Sequence, residues 1–374
     1  MWEVIYRVCP FLFSALLISC NGCSENNMNN HQEDSETSET DSNSSSDIKG
    51  TDSSTGETDS VSDVSSDSST PSIDNLTGNE VDPAINWITI AHGSFVFGSP
   101  EDTPCRTPYV EDEIPVTLTR SFQMAETEIT QQQWEAMDLP HSSRVQGVNF
   151  PVTYINYYEA AIWCNRLSYY SGLEPCYDLS TCSNPVGNGC VTDETHSGEA
   201  CSDPTVVFSC EGDIHRYPDY YACPGYRLPT TAEWEYAAKA GITDLHTYGG
   251  NVLSEPISSC NDQPSLNDIA WYCYNSGDVA HPVGEKAANP WGLFDMLGNV
   301  AEWVDYHDAS LPLDGGIGAD TLTDPIGPQE GHGQWRSGSF HTTGCMVRPT
   351  EQSARKITTR VYFSGFRPVR TIFE

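Results

Sequence analysis

Three features of the sequence predict a fold of mixed strands and short helices, carried behind a long disordered segment. Between residues 83 and 374, short stretches such as Ile85–Ile90 and Pro115–Met124 alternate apolar and polar side chains, the period of a half-buried strand. Three other stretches pair an N-cap residue with an acid or amide three positions on: Thr130 with Gln133, Asn156 with Glu159, Thr230 with Glu233. That spacing lets each side chain satisfy the other's orphan amide at a helix start. Finally, Ser24 to Asp82 holds fifteen acids, one lysine (Lys49) and only scattered aliphatics. Such a composition cannot bury enough apolar surface to offset its ordering entropy.

Taken in order, residues 1–19 carry Arg7 and then an apolar run, Val8 to Ser19. The run is too short to span a bilayer and suits a signal-peptide core. It ends Leu17-Ile18-Ser19-Cys20, which resembles a bacterial lipobox, so Cys20 is the expected lipidation site; an ordinary signal peptide is the other reading. Residues 20–82 then form a tether, which as a flexible chain spans roughly 40 Å. Asn21 after the cysteine points to the outer membrane or cell surface of a bacterial envelope. The formal net charge of −36 opposes binding to nucleic acid or anionic lipid. No nucleic-acid partner is expected, and membrane contact only through the lipid.

In the domain, the Ile85–Ile90 strand, a turn at His92-Gly93-Ser94 and the resumption at Phe95–Gly98 read as a hairpin, and Pro115–Met124 as one further strand. The second helix places Ala160, Trp163, Cys164 and Leu167 on one face and stops at Gly172; the third runs from Thr231 to Ala240 before Gly241. All three helices read as short and amphipathic, and Ile129 with Trp134 as a hydrophobic staple. Eleven cysteines lie between Cys105 and Cys345, six of them in one insertion, residues 174–224. Export makes disulfides the expectation, and the insertion lacks the Cys-x-x-Cys pairs of a zinc ribbon. Cys260 and Cys273 are close enough to staple a loop. Because eleven is odd, at least one of these cysteines is free or pairs outside the domain, and Cys164 on an apolar helix face is the best free candidate.

Tyr226-Arg-Leu-Pro-Thr-Thr-Ala-Glu-Trp-Glu-Tyr-Ala-Ala238 resembles the signature of the formylglycine-generating enzyme, or sulfatase-modifying factor, family. Companion blocks occur in the family's order: Gly93–Ser99, Glu126-Thr-Glu-Ile-Thr130, Pro151–Ala160, Asn289–Trp303, Arg336–Phe340 and Gly365-Phe-Arg367. The resemblance implies one α+β domain with much irregular structure, related to the C-type lectin fold. It also implies where chemistry would lie. Family oxidases bind copper through two cysteines after a Gly-Gly-Ser motif, as suits soft Cu(I). Aligned on Ser339, those positions are Thr342 and Val347, and neither supplies a thiolate. His341 and Cys345 stand nearby and, with His332, are candidates for some other metal, although scattered polar loop residues are the favoured reading. A cleft-lining tryptophan of the family is Ala301 here. Copper is therefore not an expected cofactor. The helical domain and His-x3-His-x-Glu iron site of the family's sulfoxide synthases are missing too.

Calcium is the cofactor the resemblance does imply. The family block at Asn289–Trp303 binds one Ca²⁺, and its ligands carry over to the side chains of Asp295 and Glu302 and the carbonyls of Gly298 and Val300. A hard cation wants such oxygens. The competing reading is that the two acids cap a turn or pair with an arginine such as Arg367. Asn261 and Asp268 are the nearest candidates for a second site. The expected function is an exported lipoprotein whose domain, lacking the copper cysteines, binds a protein, peptide or glycan; a divergent family enzyme is the alternative.

Overall fold

A computed structural model of the chain describes residues 82–108, 110–187, 206–242, 260–305, 321–326 and 333–373. The signal segment, Cys20, most of the tether, Cys190, Cys201 and His332 lie outside the described residues. No helix among the described residues is long and apolar enough to cross a membrane.

The fold is α+β, with few helices, three small sheets and long irregular connections among the described residues. The first sheet orders β1 (Trp87–Ile90), β4 (Phe122–Ala125), β11 (Val369–Thr371) and β5 (Tyr226–Arg227). In the second, β10 (Ser364–Phe366), β6 (Ala301–Val304), β8 (Gly333–Arg336) and β9 (Ser353–Arg355) lie side by side. The third holds β2 (Gly93–Phe97), β3 (Ile114–Leu118) and β7 (Leu322–Thr323).

This topology corrects two expectations. β1 and β2 do not form a hairpin: β1 pairs with β4, and β2 with β3. Pro115–Met124 is not one strand but two, β3 and β4, in different sheets. The cause is α3 (Thr231–Lys239), which lies beneath the corner. The Tyr236 hydroxyl donates to the Ala91 carbonyl at 3.2 Å, and a Cβ on Gly93 would sit 2.4 Å from that hydroxyl. The two-stranded ribbon therefore bends over Tyr236, at Ala91–His92 on one side and Thr119–Ser121 on the other.

All three capping boxes form, opening α1 (Gln131–Glu135), α2 (Tyr157–Tyr170) and α3. The amphipathic reading fails for α3, whose nine residues are all buried. A helix covered all round is a core helix, and α3 fills the space between sheets. Trp134, Trp163, Trp234 and Trp303 are completely buried around these elements.

Among the described residues four disulfides are present: Cys105–Cys345, Cys176–Cys223, Cys182–Cys210 and the anticipated Cys260–Cys273. Cys164 is free and buried, as anticipated. The cysteine-rich insertion docks on the domain through His215. Its Nδ1 lies 2.5 Å from Asp213 and its Nε2 2.9 Å from Asp305, with the Tyr157 hydroxyl at 3.3 Å. Burial opposes the charge on this ring, but Asp305 and Asp213 outweigh it and push His215 up to about 9. The folded state thus holds a proton that the unfolded chain releases near pH 6.5. The resulting stabilisation, roughly 3 kcal/mol, is complete below pH 6.5 and disappears as the pH rises through 9. Denaturant titrations between pH 6 and 10 should show that fall in the natural chain and not in His215→Phe; equal slopes would remove the clamp.

Candidate functional site

The stretch from Asn289 to Trp303 turns sharply before it enters β6. Gly298 has a φ of +77°, and a Cβ there would lie 2.1 Å from the Trp271 carbonyl oxygen, so only glycine fits. Asn299 and Asp295 also adopt left-handed φ values, +49° and +55°. These turns bring Asp295 to the base of β6, where Glu302 points into the core.

Glu302 is fully buried, and its carboxylate is engaged on both oxygens. Arg367, just beyond β10, donates Nε to Oε1 and Oε2 at 2.9 and 2.8 Å and Nη2 to Oε1 at 2.7 Å. Trp234 of α3 donates its indole N–H to Oε2 at 2.7 Å. Of the two readings of Glu302, cation ligand or partner of Arg367, the structure places the arginine pair. The guanidinium also reaches the Phe294 carbonyl at 2.9 Å, tying β10, β6 and the turn into one unit.

Asp295 is different. Its Oδ2 accepts the Gly284 amide at 2.7 Å, while its buried Oδ1 has no hydrogen-bond partner. Burial pushes Asp295 up to about 6, against the Gly284 amide and Arg367. A third acid completes the corner. Glu128 accepts the Val300 amide at 2.9 Å and the Asn299 side-chain amide at 2.6 Å. Its pKa is raised well above the carboxylate range by burial and by the negative charges of Asp295 and Glu302. Three buried carboxylates therefore share one guanidinium. A cation would complete this charge balance, and Asp295 Oδ1 is the oxygen left for it. Among the described residues no three His, Cys, Asp or Glu side chains form a metal cage, so backbone carbonyls would have to supply further ligands. The Gly298 carbonyl accepts the Ser337 hydroxyl at 3.1 Å on one side.

Asn261 and Asp268 are both exposed. Beside them Lys286 already supplies a positive charge: its ammonium donates to the Asn267 carbonyl and sits 3.7 Å from the Trp271 ring centre.

The copper positions do not fit copper. Val347 is buried in the core, and the Thr342 hydroxyl is committed to the Ser339 backbone, accepting its amide at 2.8 Å and donating to its carbonyl at 3.0 Å. Cys345 is disulfide-bonded to Cys105. It is therefore not available beside His341. The exposed rim of this loop is aromatic. His341 Nδ1 lies 2.6 Å from Asp278 and 2.9 Å from the Tyr362 hydroxyl, its ring parallel to Phe363, while Arg144 covers Tyr362.

Sequence reasoning missed Glu128 and Trp234 as parts of the corner. Glu128 had a weak signal, an acid flanked by apolar Ile129 in a family block. Trp234 looked like any core aromatic.

With this geometry in place, the comparisons with known proteins define the class. The family model for the sulfatase-modifying factor enzyme 1-like domain matches residues 74–372, and the chain belongs to that family. Among its relatives, chaperone protein LppX of Paenibacillus barcinonensis is 31% identical over 194 residues, half of this chain and 62% of that one. The formylglycine-generating enzyme of Mycobacterium tuberculosis is 40% identical over 97 residues, 24% of this chain and 30% of the enzyme. Inactive C-alpha-formylglycine-generating enzyme 2 of Bos taurus is 34% identical over 93 residues, 23% of this chain and 28% of that protein. The chain thus spans less than two thirds of each of these relatives. Two solved structures share its fold. Treponema denticola variable protein 1 superposes with a TM-score of 0.57 at 27% identity, covering 77% of this chain and 95% of that one. PvdO from Pseudomonas aeruginosa gives 0.54 at 19% identity, covering 79% and 97%.

Proposed function

We propose that this domain is a binding scaffold for a protein or peptide, presented on a lipid-anchored tether at the bacterial cell envelope, and not a copper-dependent oxidase. The observation that carries this reading is the state of the motif loop: a buried Val347, a self-bonded Thr342 and a Cys345 already spent in a disulfide. Two thiolates are what soft Cu(I) selects, and this loop has none to offer. A relative named as a chaperone and another named as inactive point the same way. The rim around His341 suits binding, because Tyr362, Phe363 and Arg144 are residue types that dominate recognition surfaces. In the corner beneath it, Asp295 Oδ1 and the Gly298 and Val300 carbonyls would hold one calcium ion, with the charge of Glu302 close by. Its role is to stiffen the turn under the loop.

A peptide bearing Cys-x-Pro-x-Arg, incubated with the purified chain, copper and oxygen, should emerge with its cysteine unchanged by mass. Conversion of that cysteine to an aldehyde would overturn the reading.

A further inference from the structure

The four described disulfides are not alike. Cys176 and Cys223 are buried in the tryptophan-rich core, whereas Cys105 and Cys345 are half-buried at the edge of the motif loop. One buried side chain grips both of the latter. Arg348 donates Nη2 to the Cys105 carbonyl at 3.0 Å and Nε to the Cys345 carbonyl at 2.7 Å. The same guanidinium is fixed by Glu111 at 2.6 and 2.9 Å and by Glu351 at 3.0 Å. The two backbones are thus held together by something other than the sulfur–sulfur bond, across 240 residues of sequence. Cys260 and Cys273 are held less directly: the Tyr272 hydroxyl accepts the Gln263 amide at 2.8 Å and donates to the Asn261 carbonyl at 3.3 Å, and no described side chain grips the carbonyls of both cysteines.

We propose that Cys105–Cys345 is a thiol-exchange site, opened by an external dithiol and closed again by an external disulfide, with Arg348 as the template that keeps the pair apposed. In the opening direction a thiolate of the external dithiol attacks one sulfur and forms a mixed disulfide, releasing the other cysteine as thiolate. The second external thiol then displaces the remaining cysteine. Two electrons and two protons end on Cys105 and Cys345, and the external dithiol leaves as a disulfide. Closing is the reverse exchange with a small disulfide such as oxidised glutathione.

Opening affects one end of the loop. The other end stays fixed, because Phe340 donates to the Asn299 carbonyl at 2.7 Å and Cys273 to the Thr342 carbonyl at 3.1 Å. At the opened end Arg348 still grips the Cys345 carbonyl, so the two side chains separate while the backbones stay apposed. The consequence for ligand binding rests on the function proposed above; the exchange chemistry does not.

The test uses the full chain and no ligand, so failure of the binding reading leaves it intact. The protein is treated with dithiothreitol under native conditions, desalted into oxidised glutathione, alkylated at intervals and mapped by peptide mass. Cys105–Cys345 should open while Cys176–Cys223 stays closed, and should reclose at least tenfold faster than Cys260–Cys273. A bond that stays shut until the fold melts, or that recloses no faster, overturns the proposal. Arg348→Lys keeps a charge but loses the fork, and should slow reclosure about tenfold; an unchanged rate removes the template. If that variant does not fold, the comparison of the two natural disulfides decides. In Cys105→Ser/Cys345→Ser, amide exchange of residues 343–347 should stay close to that of the natural chain, because Arg348 still holds both carbonyls, and a tenfold quickening would refute the template.

Discussion

Arg367→Met should cost the domain about 3–5 kcal/mol, the range for breaking one side of a buried ion pair. That is a large fraction of the stability of a domain, which holds only about 5–15 kcal/mol. The methionine fills much of the arginine's volume, so the loss is electrostatic more than steric. Glu302 would be left with the Trp234 indole alone, and Glu128 and Asp295 would lose the one positive charge that lowers their pKa values. The bonds from Arg367 to the carbonyls of Phe294, Ala125 and Glu126 would go as well. Urea unfolding measures the change, and a loss below about 1 kcal/mol would show that the pair merely fills space. The double change Arg367→Met/Glu302→Leu separates the causes. It should recover much of the loss, because an apolar pair carries no desolvation penalty.

What could be read from the sequence was local. A capping box needs two residue types three positions apart, and all three predicted boxes formed with reciprocal hydrogen bonds. The Cys260–Cys273 bridge followed from proximity along the chain, and Cys164 from its place on an apolar helix face. Strand pairing was not legible, because the alternation in Ile85–Gly98 is the same whether the two strands pair or bend apart over Tyr236. The partner of Cys345 lies 240 residues away, beyond any spacing argument. Glu302 shows the limit most clearly. A buried acid next to a glycine turn serves a cation or an arginine equally well, and only the position of Arg367 separates the two. Glu128 was hidden for a related reason: its partners, the Val300 amide and the Asn299 side chain, come from a segment about 170 residues further on.

Calcium should raise the melting temperature of the natural chain, and Asp295→Asn should remove that response while stabilising the metal-free form. The two signs have one origin. Asp295 is pushed up to about 6 in the fold but ionises near 3.9 when unfolded. The folded state therefore binds more protons between those values, and its stability falls as the pH rises from 4 to 6. Above pH 6 the ionised carboxylate costs the metal-free fold on the order of 3 kcal/mol. A cation at Oδ1 relieves that cost, and at a hundredfold excess over its Kd it contributes about 2.7 kcal/mol. The shift should accordingly be larger at pH 8 than at pH 5, where a proton already occupies the site. Asparagine carries no charge to relieve, so Asp295→Asn should melt higher than the natural chain in EDTA and show no change on adding calcium. Calorimetry with calcium, magnesium and EDTA at the two pH values reads all of this. A calcium shift that persists in Asp295→Asn would move the ion elsewhere. A natural chain indifferent to calcium at pH 8 would instead leave the corner to Arg367 and a retained proton.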